Sequence, residues 1–183
     1  MSFTDPRTDQ QLVAALNEGD ATAFDGLYYR YRDWVVRLAW RFAGDADDAL
    51  DVLQETFAYV TGKFPGFHLT SSFTTFLYPV VKNTALAIRR KRRRMLPGDA
   101  EMDTLAAGES IDPLAADDLK VALDALPETH REVLLMRYVD DLNLEEIGCA
   151  LEIPLGTVKS RIHNALKQLR ADPRVREYFS QDR

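Results

Sequence analysis

The sequence predicts an all-α fold: two small helical domains joined by a flexible acidic linker, the second carrying a helix-turn-helix. Three observations carry this reading. Apolar residues recur at steps of three and four on both sides of the chain's middle, the spacing of a buried helix face. Residues 95–118 hold seven acids, no Lys or Arg, and several Pro and Gly, with no sustained period. Leu142 to Arg170 reads as two short helices around a tight turn. The domains are accordingly 1–94, a linker over 95–118, and 119–183.

Composition narrows the function classes. The chain has 183 residues and is 46% hydrophobic, enough for one or two cores. The net charge of −6 is unevenly spread. Residues 1–94 carry 13 cations and 11 acids, and residues 119–183 carry 10 and 11, so the acidity sits in the linker. Cys149 is the single cysteine, which excludes an internal disulfide, and it reads as a small packed residue. His68, His130 and His163 lack ligand spacing, so neither a metal nor a cofactor is expected. There is no phosphate loop and no nucleophile-base pair, which argues against an enzyme. The first residues, MSFTDPRTDQ, carry no secretion signal, and no apolar run approaches the ~20 residues of a membrane span. A soluble, cytoplasmic protein with no membrane insertion follows as the expectation.

In chain order, Asp9–Glu18 reads as a first helix ending at Gly19. Asp20 can cap a second, whose stripe of Phe24, Leu27, Tyr31, Val35, Leu38 and Phe42 stops at Gly44. Asp45 caps a third, running to about Thr61, with Ala49, Leu50, Leu53, Phe57 and Val60 inward and Asp47, Asp48, Asp51, Gln54 and Glu55 outward. An aromatic loop, GKFPGFHLTSS, leads to a stripe from Phe73 to Ile88 that runs into six consecutive cations, Arg89 to Arg94. Pro79 within that stripe implies a bend or a later helix start. After the linker come helices over Leu119–Leu126 and Glu128–Val139, separated by Pro127.

Leu142–Arg170 is the most informative stretch. Asn143 and Glu146 form a capping-box pattern, and Leu144, Ile147 and Leu151 share one face. Pro154 opens the second helix, whose apolar stripe is Val158, Ile162, Ala165, Leu166 and Leu169. Its other face is small, polar and basic, with no carboxylate between Gly156 and Arg170. A helix that lies in a major groove needs such a face, since amides, hydroxyls and cations bond base edges while a carboxylate repels phosphate. Patterning alone fits an ordinary amphipathic hairpin equally well. Likewise, cations beside an aromatic loop suit single-stranded DNA, or else form a solvated tail next to core aromatics. Phe67, His68, Ser72, Lys82 and Asn83 are the better nucleic-acid candidates, while Phe73 and Phe76 read as core. No third folded domain fits after Arg170.

The wording of the motifs goes further. EIGCALEIPLGTVKSRI resembles the second DNA-binding module of bacterial RNA polymerase sigma factors of the extracytoplasmic-function type. DVLQETF and the acids before it resemble the family segment that binds the coiled coil of the largest polymerase subunit. FTTFLYPVVKNTALAIRRKRRR resembles the helix that reads the −10 element. The chain departs from the pattern at Phe76, where Trp is common, at Pro79, at Ala87, where an acid often sits, and at Glu152, where the family usually has Gly.

The resemblance implies an alternative sigma factor that binds core RNA polymerase and promoter DNA, with an anti-sigma protein as a further partner. It places core polymerase binding on Asp48, Asp51, Gln54 and Glu55. It places −10 recognition on Phe67, His68, Ser72, Lys82, Asn83, Arg89 and Arg90. It places −35 recognition on Thr157, Lys159, Ser160, Arg161, His163, Asn164 and Lys167. The linker would thread toward the polymerase active-site channel. The alternative reading is a stand-alone helix-turn-helix regulator that binds its site without polymerase.

Overall fold

A computed structural model describes residues 5–95 and 113–176. They form eight helices and no strand. The chain divides into two compact units, Met1–Asp103 and Thr104–Arg183. Most of the acidic stretch, residues 96–112, lies outside the described residues, as does the tail beyond 176.

Unit 1 contains α1 (Asp9–Asn17), α2 (Thr22–Ala43), α3 (Ala46–Thr61) and α4 (Phe73–Met95). Local chemistry sets each boundary. Thr8 and Gln11 cap α1 reciprocally. Gly19 and Gly44 take positive φ after α1 and α2, the left-handed geometry that costs glycine least. Asp20 accepts hydrogen bonds from the N–H and hydroxyl of Thr22, and so satisfies donors in the first turn of α2. Asp45 caps α3, accepting from the N–H groups of Asp47 and Asp48.

α2, α3 and α4 pack on one another, and α1 lies on α2. Leu27, Val35, Leu38, Val52, Val60, Phe73, Leu77, Tyr78 and Val81 are fully buried at the centre. Leu50 departs from the expected inward face and is 50% exposed. It lies about 90° around α3 from the middle of the buried stripe, at the 100° per residue of a helix.

Pro79 neither delays nor ends α4, which begins at Phe73 and is helical throughout to Met95. A helix-interior proline removes one N–H, here the partner of the Thr75 carbonyl. The burial of Phe73, Leu77, Tyr78, Val81 and Ala85 outweighs that loss, at roughly 1.5–3 kcal/mol for each large apolar side chain.

Unit 2 contains α5 (Pro113–Asp124), α6 (Glu128–Tyr138), α7 (Leu144–Leu151) and α8 (Leu155–Ala171). α5 starts earlier than the stripe indicated, inside the stretch read as linker. Pro113 occupies its first turn, where a missing N–H costs nothing. Ala122, Leu126, Leu134, Ala165, Leu169 and Val175 form the core, with Leu119, Leu123, Ile162 and Leu166 against it. Val175 is fully buried, so the chain just after α8 belongs to this core.

The joint between α7 and α8 follows the capping-box expectation. Asn143 accepts from the Glu146 N–H at 2.9 Å, and Glu146 accepts from the Asn143 N–H at 2.7 Å. At the other end of α7, the Ile153 N–H donates to Gly148 at 2.9 Å and the Glu152 N–H to Cys149 at 3.3 Å. These two bonds make a Schellman turn with Glu152, not Gly, at the left-handed position, φ 54°. Gly148 lets the turn close tightly, because a Cβ there would stand 3.1 Å from the Ile153 carbonyl and the turn would have to give by a few tenths of an ångström. Cys149 is exposed rather than packed, since it points away from the stripe that holds Ile147.

These local features are open to two tests. Glu152→Gly relieves the left-handed strain and stabilises unit 2 by about 1 kcal/mol in chemical denaturation. An unchanged or lower midpoint contradicts this. The second concerns pH. Hydrogen bonds from the side chain and backbone of Arg7 hold the Asp5 carboxyl at about 2, and those from Arg174 hold Asp172 at about 2. Depressed carboxyl pKa values stabilise the fold fully above the ordinary value of 3.8 and lose that contribution as pH falls toward 2. Acid unfolding therefore steepens across that window, and Arg7→Gln removes the part due to Asp5.

Candidate nucleic-acid interface and acidic helix face

Unit 1 has two adjacent grooves on either side of Glu55. The first runs between α3 and the end of α4. Asp48, Asp51, Gln54 and Glu55 line one wall, and Ile88, Lys91 and Arg92 line the other. Helical spacing puts all four residues expected to bind polymerase on this one wall. Asp51, Gln54 and Glu55 are exposed. Asp48 is mostly covered, because Arg92 pairs with it at 3.0 Å and with Asp45 at 2.8 Å. The N–H of Asp48, followed by Arg92, pulls the Asp45 carboxyl below its ordinary range.

The second groove is aromatic. Glu55 and Tyr59 of α3 face Phe76, Pro79, Asn83 and Thr84 of α4. The rings of Tyr59 and Phe76 are nearly parallel, with centroids 6.4 Å apart, and Phe67 from the loop meets Phe76 at 4.7 Å. The Lys63 ammonium lies 4.4 Å from the centroid of the Tyr59 ring. Ring faces interleaved with a cation and an amide can take an unstacked base and its phosphate.

The loop before α4 is held by one side chain. Asn17, the last residue of α1, donates to the Phe67 carbonyl at 2.8 Å. Its oxygen accepts from the N–H groups of Gly66 at 2.7 Å and Phe67 at 3.2 Å. Nothing in the sequence marks this latch, since Asn17 and the loop are 50 residues apart.

The residues expected at the −10 element fall on different surfaces. Asn83 and Arg90 lie seven residues apart along one line of α4, with Phe67 at its head; Phe76, which read as core, is half-buried on the same line. Lys82 and Arg89 lie on a neighbouring line over the end of α2. The Lys82 ammonium is 5.7 Å from the Phe42 ring centroid, and Arg89 donates to the Phe42 carbonyl at 3.4 Å. His68 sits on the far side of the loop, in a hollow with Gln10, Ala14, Asn17 and Glu18. The Ser72 hydroxyl meets those of Thr74 and Thr75 at 2.9 and 2.7 Å and accepts the Thr75 N–H, so it caps α4. Sequence reasoning missed Tyr59 and Lys63, whose role depends on packing across α3 and the loop.

In unit 2, α8 buries Val158, Ala165 and Leu169 and leaves Lys159, Ser160, His163, Asn164 and Lys167 exposed. Thr157 and Arg161 are half-buried at the edge. The Ser160 hydroxyl donates back to the Thr157 carbonyl at 3.2 Å. Gly156 at the start of the face has open space around it, which admits close approach of another backbone or a phosphate. All seven residues expected at −35 therefore share one side of one helix or its margin. No group of residues suited to a metal ion occurs among the described residues.

Comparison with known proteins gives consistent matches to both units. Residues 27–95 match the model for Sigma-70 region 2, and residues 122–171 match that for Sigma-70, region 4. The chain is 31% identical over 173 residues to the ECF RNA polymerase sigma factor SigW of Bacillus subtilis, covering 86% of this chain and 92% of that one. It is 32% identical over 174 residues to the RNA polymerase sigma-H factor of Pseudomonas aeruginosa, covering 86% and 89%. Among solved structures, CnrH in complex with the cytosolic domain of CnrY aligns with a TM-score of 0.66 at 20% identity, over 96% of this chain and 99% of that one. RpoE in complex with the anti-sigma factor NepR from Bartonella quintana aligns at 0.64 and 22% identity, over 89% and 100%.

The Asn17 latch has a direct test. Asn17→Ala removes the bonds that hold the loop carbonyl and N–H groups and costs about 0.5–1.5 kcal/mol. Hydrogen exchange at Gly66 and Phe67 accelerates while that of the α2 core does not. Unchanged exchange in the loop contradicts the assignment.

Proposed function

The chain belongs to the extracytoplasmic-function sigma factors, and we propose that its two units divide promoter recognition between them. As an alternative sigma factor it directs transcription initiation by core RNA polymerase. Sigma factors are non-catalytic initiation factors, and we assign this chain no chemical step of its own.

Unit 1 has two tasks in this proposal. The α3 wall of Asp51, Gln54 and Glu55, with Asp48 at its covered end, docks on the polymerase. Exposed Leu50 adds an apolar contact next to that wall. The aromatic groove and the line of Phe67, Asn83 and Arg90 take the non-template strand at −10. Separating stacked bases costs a few kcal/mol per step, so the exposed ring faces and the Asn83 amide must return that energy. His68, on the far side of the loop, and Lys82, over the end of α2, stand apart from this line, and Ser72 acts by holding the start of α4.

Unit 2 grips duplex DNA at −35. Lys159, Ser160, His163 and Asn164 read base edges, Thr157 and Arg161 bond phosphates, and Lys167 adds charge further along α8. Four side chains give limited discrimination, at about 1–3 kcal/mol for each good base contact. The second grip on unit 1 and the polymerase therefore complete the specificity. The observation that carries this reading is the carboxylate-free exposed face of α8 on a capped two-helix joint, within a chain that has a separate acidic docking wall.

An anti-sigma protein is the third proposed partner. Both solved relatives were determined in complexes with a bound protein. No helix among the described residues is long and apolar enough to cross a membrane. We place the protein with its polymerase in the cytoplasm.

Asp51→Arg reverses a charge on the docking wall while leaving every buried residue in place. It lowers retention of core polymerase in a pull-down without shifting thermal unfolding. Equal retention would remove α3 as the docking surface. Asn164→Ala loses about 1–3 kcal/mol of preference at one −35 base pair in a binding selection with holoenzyme. A uniform loss across all sequences would assign Asn164 to the backbone instead.

A further inference from the structure

The six-cation run at the end of α4 divides into two groups with different tasks. Beyond Ala85 no residue of α4 is fully buried, and residues 90–95 are all exposed. This end of the helix therefore relies on polar contacts at its margin for its orientation. Two of them reach the same corner between α2 and α3. Arg89 donates to the Phe42 carbonyl, in the last turn of α2, at 3.4 Å. Arg92 bridges Asp45, the cap of α3, at 2.8 Å and Asp48 at 3.0 Å. A cation at a helix C-terminus and a cation beside acids at a helix N-terminus both complement local charge. Arg92 also continues the inward line of Val81, Ala85 and Ile88 at helical steps. Arg90 and Arg94 fall about 160° around the helix from Arg92, on the side that carries Asn83.

We propose that Arg92 is a positioning residue that clamps the basic end of α4 to the α2–α3 corner, so that Arg90 and its neighbours face the DNA backbone. It makes no phosphate contact itself. Arg89 provides the second grip on the same corner. The clamp also joins the docking wall to the strand-binding line, because Asp48 belongs to one and the orientation of Arg90 to the other. This rests on the reading of unit 1 as a single-strand binder, and the test separates the two.

The full-length protein is titrated with an oligothymidine strand at a series of salt concentrations. Removing a cation that neutralises one phosphate of a single strand lowers the salt slope by about 0.7. Arg90→Gln, the control, lowers the slope by that amount if unit 1 holds the strand as proposed, and an unchanged slope there defeats that underlying reading. Arg92→Gln weakens binding several-fold with the slope kept at the wild-type value, and hydrogen exchange at residues 90–94 quickens several-fold. A slope that falls as in the Arg90 control, or unchanged exchange, overturns the proposal for Arg92 alone. Asp45→Asn with Asp48→Asn removes both acids while Asn still caps α3, and it weakens binding and quickens exchange at residues 90–94 as Arg92→Gln does. A phosphate-binding Arg92 would instead bind the strand more tightly once freed of the acids, and that result overturns the clamp.

Discussion

The burial of one stripe on α4 is the constraint on which unit 1 depends. Phe73, Leu77, Tyr78, Val81 and Ala85 fill the space between α2 and α3. That packing keeps the helix continuous through Pro79, at the expense of one backbone hydrogen bond. Continuity matters because the helix carries separate features along its length. Ser72 and the latched loop define its start, the aromatic groove its middle, and the cation run its end. A break at Pro79 would uncouple the ring platform from the basic end.

Unit 2 is organised by a smaller constraint, the turn between α7 and α8. The angle at which α8 leaves the core depends on the Asn143–Glu146 box, the Schellman bonds and the close approach at Gly148. With those set, the stripe from Val158 to Leu169 can only face inward, and the polar face can only face out. Glu152 adopts a left-handed conformation that glycine takes at less cost, which shows that the turn geometry is imposed by its surroundings and not by the residue at its apex. The same economy holds for Asp45, which caps α3 and at the same time receives Arg92.

Periodicity and capping chemistry are enough to read all eight helices from the sequence, because each signal is local. The stripes of α2, α3 and α8, the stops at Gly19 and Gly44, and the caps at Asp45 and Asn143 appear in the structure as read. The buried face of α4 is turned from the expected stripe, taking in Tyr78, Val81 and Ala85 and leaving Phe76 only half-buried. The other differences are of three kinds. Leu50 and Cys149 lie at the edges of their stripes, where a small rotation decides exposure. The start of α5 at Pro113 lies in an acidic stretch whose composition resembles a loop. The aromatic groove, the Asn17 latch and the Arg92 clamp depend on residues far apart in the chain, and period and spacing along one helix do not report on its neighbours. Arg92 is the most accessible of these, since it extends the α4 stripe at helical spacing. Of the candidate site, the α3 wall and the α8 face are legible because each lies on one helix. The −10 set is only partly so, because its members lie on a loop and on two lines of α4.

As an extracytoplasmic-function sigma factor, this chain brings core polymerase to promoters that core alone ignores. Genome-wide run-off transcription with purified core polymerase, with and without the chain, tests it most directly. The predicted result is a set of new transcripts starting downstream of a shared pair of sequence elements, abolished by Asp51→Arg and redirected by substitution of Asn164. A chain that binds specific duplex sites by itself yet starts no transcript with core polymerase would contradict it, and would make the protein a stand-alone helix-turn-helix regulator.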